Sequence, residues 1–105
     1  MGIFRFFTGF DIHQGIEEYR TTGGVLLDVR TQEEYREGYI PESKNLPLQE
    51  IGKAGEILPD KDMPVFVYCH SGARSGQAVE VLGRMGYTRV KNIGGIAAWR
   101  GKVER

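Results

Sequence analysis

Short apolar runs alternate with stretches of helical periodicity along the chain. Residues 25–29 and 65–68 are almost continuously apolar, which is typical of strands buried on both faces. Residues 88–93 alternate polar and apolar side chains, as a strand with one exposed face does. A further short strand is predicted at 43–46, where prolines on either side favour extended backbone.

Helices are predicted between these strands. Apolar side chains at helical spacing predict helices over 14–22 and 77–85, the second closed by a glycine. A short helix after the first strand begins with a capping box formed by Thr31 and Glu34. A weaker helix is expected over 49–58. This alternation favours an α/β layer fold with a mostly parallel sheet.

The two ends of the domain carry weaker signals. Gly94 and Gly95 are predicted to turn the chain after the last strand, and 96–99 to form a final helical turn that buries Trp99 against the sheet. His13, at the front of the first helix, is interpreted as a surface or capping residue. No second ligand is spaced to hold a metal with it.

The single cysteine, Cys69, lies between the strand 65–68 and the helix after it. Where a loop leads into a helix N-terminus, backbone N–H groups converge and the helix dipole adds partial positive charge. A cysteine there is expected to have a lowered pKa, because its thiolate is stabilised. The polar loop is also expected to solvate the thiol, and a cysteine buried inertly in the core is the alternative. The loop residues predicted to surround the sulfur are His70, Ser71, Gly72, Ala73, Arg74 and Ser75.

Two charged residues lie at the end of the first buried strand. Asp28 and Arg30 end that strand as Cys69 ends another, and ligands bind at the carboxyl ends of parallel strands. We therefore expect both near the cysteine loop. The favoured interpretation is an ion pair, or backbone hydrogen bonds, that fixes the loop and so supports the site.

Length and composition limit the possible functions. A chain of 105 residues supports one domain, and 14 basic residues balance 14 acidic ones, so nothing favours a nucleic-acid or membrane partner. One cysteine excludes an internal disulfide and a cysteine-rich metal site, and its free thiol suits a reducing, cytoplasmic compartment. Residues 1–11 are interpreted as an apolar arm that packs on the domain or on a partner, and 12–105 as the single domain.

Four stretches together resemble the rhodanese family of thiosulfate sulfurtransferase-like proteins, in its single-domain form. They occur in the family order and cover about 12–101, with Tyr39 at a position where the family usually has histidine. The stretches are Leu27-Asp28-Val29-Arg30 with Glu34-Tyr35, Gly38-Tyr39-Ile40-Pro41 with Asn45-Leu46-Pro47, Cys69 to Ser75, and Asn92-Ile93-Gly94-Gly95-Ile96 with Trp99.

This resemblance implies a central five-stranded, mostly parallel sheet with helices on both faces. It also implies that Cys69 is a nucleophile that takes sulfur from a donor such as thiosulfate, carries it as a persulfide and gives it to cyanide or a thiol. No cofactor is then needed beyond this covalent intermediate, and the acceptor is external, with an acceptor protein as a further candidate. Arg74 is the candidate for attracting the anionic donor.

Two alternatives remain open. Cysteine phosphatases and arsenate-reducing enzymes resemble this loop, but phosphatases place five residues between cysteine and arginine, whereas four separate Cys69 and Arg74. A phosphoryl group needs a wider ring of donors than one sulfur atom, so the shorter loop favours sulfur. The second alternative is a sulfur-carrying or interaction module of the same fold that does not turn over.

Overall fold

Four parallel strands form the sheet of the computed structural model, which describes residues 11–105. They are β1 (Val25–Asp28), β2 (Lys44–Asn45), β3 (Val65–Cys69) and β4 (Val90–Gly95), in the order β2-β1-β3-β4. Five strands were expected. The resemblance implied that number, whereas residues 11–105 contain four strands, one for each extended segment that the apolar pattern predicted. The predicted arm lies outside the described residues, apart from Asp11.

Helices precede and separate the strands. They are α1 (Ile12–Thr22), α2 (Gln32–Glu37), α3 (Ala54–Ile57) and α4 (Ala73–Arg84), with 3-10 turns at Leu48–Lys53 and Ile96–Ala98. The helix α1 begins two residues earlier than predicted because the Asp11 carboxylate caps it, accepting from His13 N at 3.0 Å. The capping box of Thr31 and Glu34 is confirmed. Within 11–105, no helix combines the length and apolar character that crossing a bilayer requires.

The two faces of the sheet pack against different helices, as predicted. Side chains alternate along β3, so Val65, Val67 and Cys69 point to one face and Phe66 and Tyr68 to the other. The first face packs on α3 and α4 and the second on α1. The buried partners on the first face include Leu27, Val29, Ala54, Leu58, Ala78 and Leu82, and those on the second Ile12, Ile16, Leu26, Ile40 and Ile93.

The predicted turn at Gly94 and Gly95 is wrong, since both residues belong to β4. Asn92 pairs with Val67, Ile93 is the extra residue of a bulge, and after it Gly94 pairs with Tyr68 and Gly95 with Cys69. A Cβ atom at Gly95 would lie 1.9 Å from the carbonyl oxygen of His70, so glycine is required where β4 passes the cysteine loop.

Trp99 packs on the second face, as expected, but it is half-buried rather than buried. Its ring stacks on His13 with the ring centres 4.9 Å apart. The Nε2 atom of His13 accepts a hydrogen bond from Arg100 N at 3.0 Å, so this histidine joins α1 to the end of the chain.

Candidate active site

Cys69 ends β3, and α4 begins four residues later, at Ala73. This helix was predicted to begin at 77. It begins four residues earlier because Gly72, with a φ of +111°, turns the chain sharply and serves as its N-cap. The N-terminus of α4 therefore lies directly beside the cysteine, closer than the apolar periodicity alone indicated.

The sulfur atom of Cys69 faces hydrogen-bond donors. Gly72 N donates to Sγ at 3.0 Å, and the Ser75 hydroxyl oxygen lies 3.5 Å from it. Each comes from the loop or from the first turn of α4. The contacts are those expected for a sulfur held at a helix N-terminus.

The thiol is buried rather than solvated, which differs from the expectation. Cys69 is 1% exposed, because the loop closes over it and its side chain belongs to the apolar cluster under α4. Burial by itself raises the pKa of this thiol. Hydrogen bonds from Ser75, and from the N–H groups of Gly72 and Ser71, outweigh burial and lower the pKa below its usual value.

Ser75 also contacts Asn92, a residue of β4. The Ser75 hydroxyl lies 2.7 Å from Asn92 Oδ1 and has one proton, so the shorter contact holds that proton while Cys69 is protonated. The backbone N–H groups are then the donors that already face the sulfur. Sequence reasoning quoted Asn92 as part of the resemblance and missed it as a site residue. In the sequence, the indication of such a role was that Asn92 lies two residues before the pair of glycines, Gly94 and Gly95.

Arg74 lies in an ion pair at the edge of the loop. Its guanidinium donates to both carboxylate oxygens of Glu34, at 2.7 and 3.0 Å, and each side chain is about one third exposed. The hydrogen bond from Arg74 is the main reason that the pKa of Glu34 falls to about 2. The predicted role of Arg74 in attracting a donor stays a prediction, and in the structure its guanidinium is already paired with Glu34.

Asp28 and Arg30 form a buried ion pair, the arrangement that the sequence favoured. Arg30 Nη2 lies 2.7 Å from Asp28 Oδ2 and also donates to Gly38 O at 2.7 Å. Burial by itself lowers the pKa of Arg30, but the hydrogen bond and charge of Asp28 raise it above the usual value. Asn45 Nδ2 donates to the carbonyl oxygens of both residues, which fixes the end of β1.

The outer surface of the loop is formed by His70, Ser71 and Ala73, which are exposed. His70 O accepts from Ala97 N at 3.0 Å, so the C-terminal 3-10 turn supports this side. A recess of about 230 Å³ adjoins it, lined in part by His70, Ser71 and Gly95. A larger recess of about 470 Å³ lies between α1 and β4 and includes none of residues 69–75, so size alone does not identify the site.

Known proteins are similar to this chain in sequence and in fold. A model of the rhodanese-like domain matches residues 11–102. A thiosulfate sulfurtransferase, PspE, from Escherichia coli strain K12 is 44% identical over 71 residues, which cover 67% of this chain and 68% of that protein. A sulfurtransferase from Allochromatium vinosum is 46% identical over 76 residues, covering 71% and 70% of the two chains.

A solved structure described as rhodanese with anions from E. coli superposes on the fold. Its TM-score is 0.72 at 38% identity, and the match covers 77% of this chain and 96% of that one. The parallel sheet with helices on both faces is therefore an architecture known from experiment.

Proposed function

The chain belongs to the rhodanese family, and from that membership we propose that it is a sulfurtransferase whose Cys69 carries the transferred sulfur. The observation that carries the proposal is the position of Cys69 Sγ, which accepts the Gly72 N–H at 3.0 Å where α4 begins. A thiolate is the nucleophilic form of cysteine, and the lowered pKa of Cys69 increases its fraction near neutral pH.

In the first half of the proposed reaction, the Cys69 thiolate attacks the outer sulfur of thiosulfate. A bond forms between Sγ and that sulfur while the bond to the sulfonate sulfur breaks, and its electron pair leaves with sulfite. The product is a persulfide on Cys69, with one negative charge on the terminal sulfur. Backbone N–H groups at the N-terminus of α4 can stabilise that charge without a cation beside it.

In the second half, an external nucleophile attacks the terminal sulfur. Cyanide leaves as thiocyanate and the electron pair of the sulfur–sulfur bond returns to Sγ, which restores the thiolate. The chain has no second cysteine that could resolve the persulfide, so the acceptor comes from outside, as cyanide, a small thiol or an acceptor protein. This is covalent catalysis with alternating substrates, and the persulfide takes the place of a cofactor.

Arg74 is proposed to help recruit the donor. Its guanidinium lies at the edge of the loop and is partly exposed, although Glu34 neutralises it. A dianion such as thiosulfate would have to share Arg74 with Glu34. Arg74→Ala is therefore expected to raise the KM for thiosulfate more than it lowers kcat.

Incubation with thiosulfate tests the proposal directly. Intact-mass measurement should show one added sulfur atom on the wild-type chain and none on Cys69→Ala, and cyanide should then remove it as thiocyanate. Hydrolysis of an aryl phosphate without thiocyanate formation would support the phosphatase alternative. A stable persulfide that neither cyanide nor thiols remove would support a carrier without turnover.

A further inference from the structure

Gly72 supplies the N–H that faces the sulfur, yet little in its surroundings fixes its conformation sterically. Its φ of +111° is open to glycine without strain, and an added Cβ would meet nothing closer than Gly94 Cα at 3.5 Å. Glycine also has the largest conformational freedom to lose on folding. Hydrogen bonds must therefore hold Gly72 in the orientation that directs its N–H at Sγ.

Asn92 provides one of these hydrogen bonds from across the sheet. Its Nδ2 donates to Gly72 O at 3.0 Å, and Gly76 N donates to the same oxygen at 3.1 Å from within α4. The carboxamide is oriented without ambiguity, because Gly94 N can only donate and lies 3.0 Å from Asn92 Oδ1. The side chain thus joins β4 to the turn that carries the sulfur-binding N–H.

We propose that Asn92 is a positioning residue that holds Gly72 so that its N–H stabilises the charged sulfur of Cys69. The Asn92 side chain makes no hydrogen bond to the sulfur and acts through the loop backbone. This deepens the proposed function and rests on it for its meaning in catalysis, but it concerns the ionisation of one thiol. The ionisation of this thiol can be measured without any turnover.

The test is the pH dependence of Cys69 alkylation by iodoacetamide, which is specific because the chain has one cysteine. Asn92→Ala should slow alkylation about threefold to tenfold at neutral pH, since it weakens one hydrogen bond to the thiolate. The rates of variant and wild type should converge at high pH, where both thiols are ionised. A variant that loses thermal stability but keeps the wild-type pH profile would overturn the proposal.

Asn92→Ser is the second variant, in case the alanine variant does not fold. A serine can still accept from Gly94 N but is too short to reach Gly72 O, so we expect the same slowing. Asn45→Ala is the matched control. It removes another carboxamide that donates to two backbone carbonyls, at the end of β1, and should leave the alkylation profile unchanged.

A Ser75→Ala background distinguishes the two contacts of Asn92. If Asn92 acts through Gly72, Asn92→Ala should slow alkylation by a similar factor in this background. If the effect disappears there, or if Asn92→Ala speeds alkylation in the wild type by releasing the Ser75 hydroxyl to the thiolate, the proposal is overturned. Absence of thiocyanate formation in the wild type would contradict the proposed function and leave this result standing.

Discussion

The carboxyl ends of β1 and β3 lie side by side, but a negative charge is stabilised by a side-chain cation at the first and by backbone N–H groups at the second. Asp28 at the end of β1 is neutralised by the Arg30 guanidinium within the same buried turn. Cys69 at the end of β3 faces backbone N–H groups, while the nearest loop guanidinium, on Arg74, is bound to Glu34. A charge already matched by a side chain supports structure, whereas an anion held by backbone dipoles keeps its electron pair available for reaction.

The largest expected effect is a loss of activity when the residue at the end of β3 is changed. Cys69→Ala should reduce thiocyanate formation to the uncatalysed background, because no other residue can carry the sulfur. Its free energy of unfolding should change less than that of a variant lacking Arg30, since only a thiol is removed. Steady-state assay and urea denaturation of the same preparations measure both. Residual turnover well above background would contradict the assignment of Cys69.

The next effect is on stability and belongs to β1. Arg30→Met should lower the free energy of unfolding by about 3–5 kcal/mol, because it leaves the Asp28 carboxylate buried without its partner. Denaturation in urea measures this loss. The double variant Asp28→Leu/Arg30→Met is the control and should recover much of it, since no lone charge remains. A single variant as stable as wild type would contradict a supporting role for the pair.

A smaller effect concerns the hydroxyl beside the sulfur. Ser75→Ala should slow Cys69 alkylation at neutral pH by about threefold to tenfold, because the thiolate loses a donor that can turn toward it. Ser71→Ala is the matched control, since its hydroxyl is on the exposed side of the loop and its N–H is retained. Equal rates for Ser75→Ala and wild type would assign the lowered pKa to the backbone alone.

The smallest effect is the pH dependence of the Glu34–Arg74 pair. The pKa of Glu34 is lowered from 4.5 to about 2 in the folded chain, so its stabilising contribution is present above pH 4.5 and is lost as the pH falls toward 2. Because the pair is partly exposed, Glu34→Gln should cost at most about 1 kcal/mol at pH 7.

Glutamine keeps the capping box at the start of α2, so Glu34→Gln isolates the ion pair. The stability difference between this variant and wild type, measured by denaturation at several pH values, should shrink between pH 4.5 and 2. A difference that persists unchanged at acidic pH would show that the ion pair is not its source.

Local patterns predicted the elements well where one residue type decides the backbone. The buried strands, the helices between them and the Thr31–Glu34 capping box follow from apolar periodicity and capping chemistry, whereas helices on both faces were implied by the family resemblance. The start of α4 was missed because Ala73 to Gly76 carry no apolar periodicity, and only Gly72 marks the turn. The glycine pair was misread because a glycine can serve a turn or a close approach, and tertiary contact decides which.

The site was predicted only in part, because local features of the sequence indicate some of its residues but not the contacts between distant elements. The position of Cys69 at a strand end and the loop after it are local features of the sequence. The partners Glu34 and Asn92 come from distant elements, and contacts between elements depend on strand order and register. A single sequence indicated that these residues share a family pattern but not which atoms they meet.

Because Gly95 has no side chain, the reactive loop packs directly against the backbone of β4, and this contact fixes the path of the loop. His70 and Ser71 rest against the β4 backbone so closely that any larger residue there must push the loop outward. Enlarging the reactive loop so that it could bind a bulkier oxyanion would therefore require changes in both the loop and β4, which are distant along the chain.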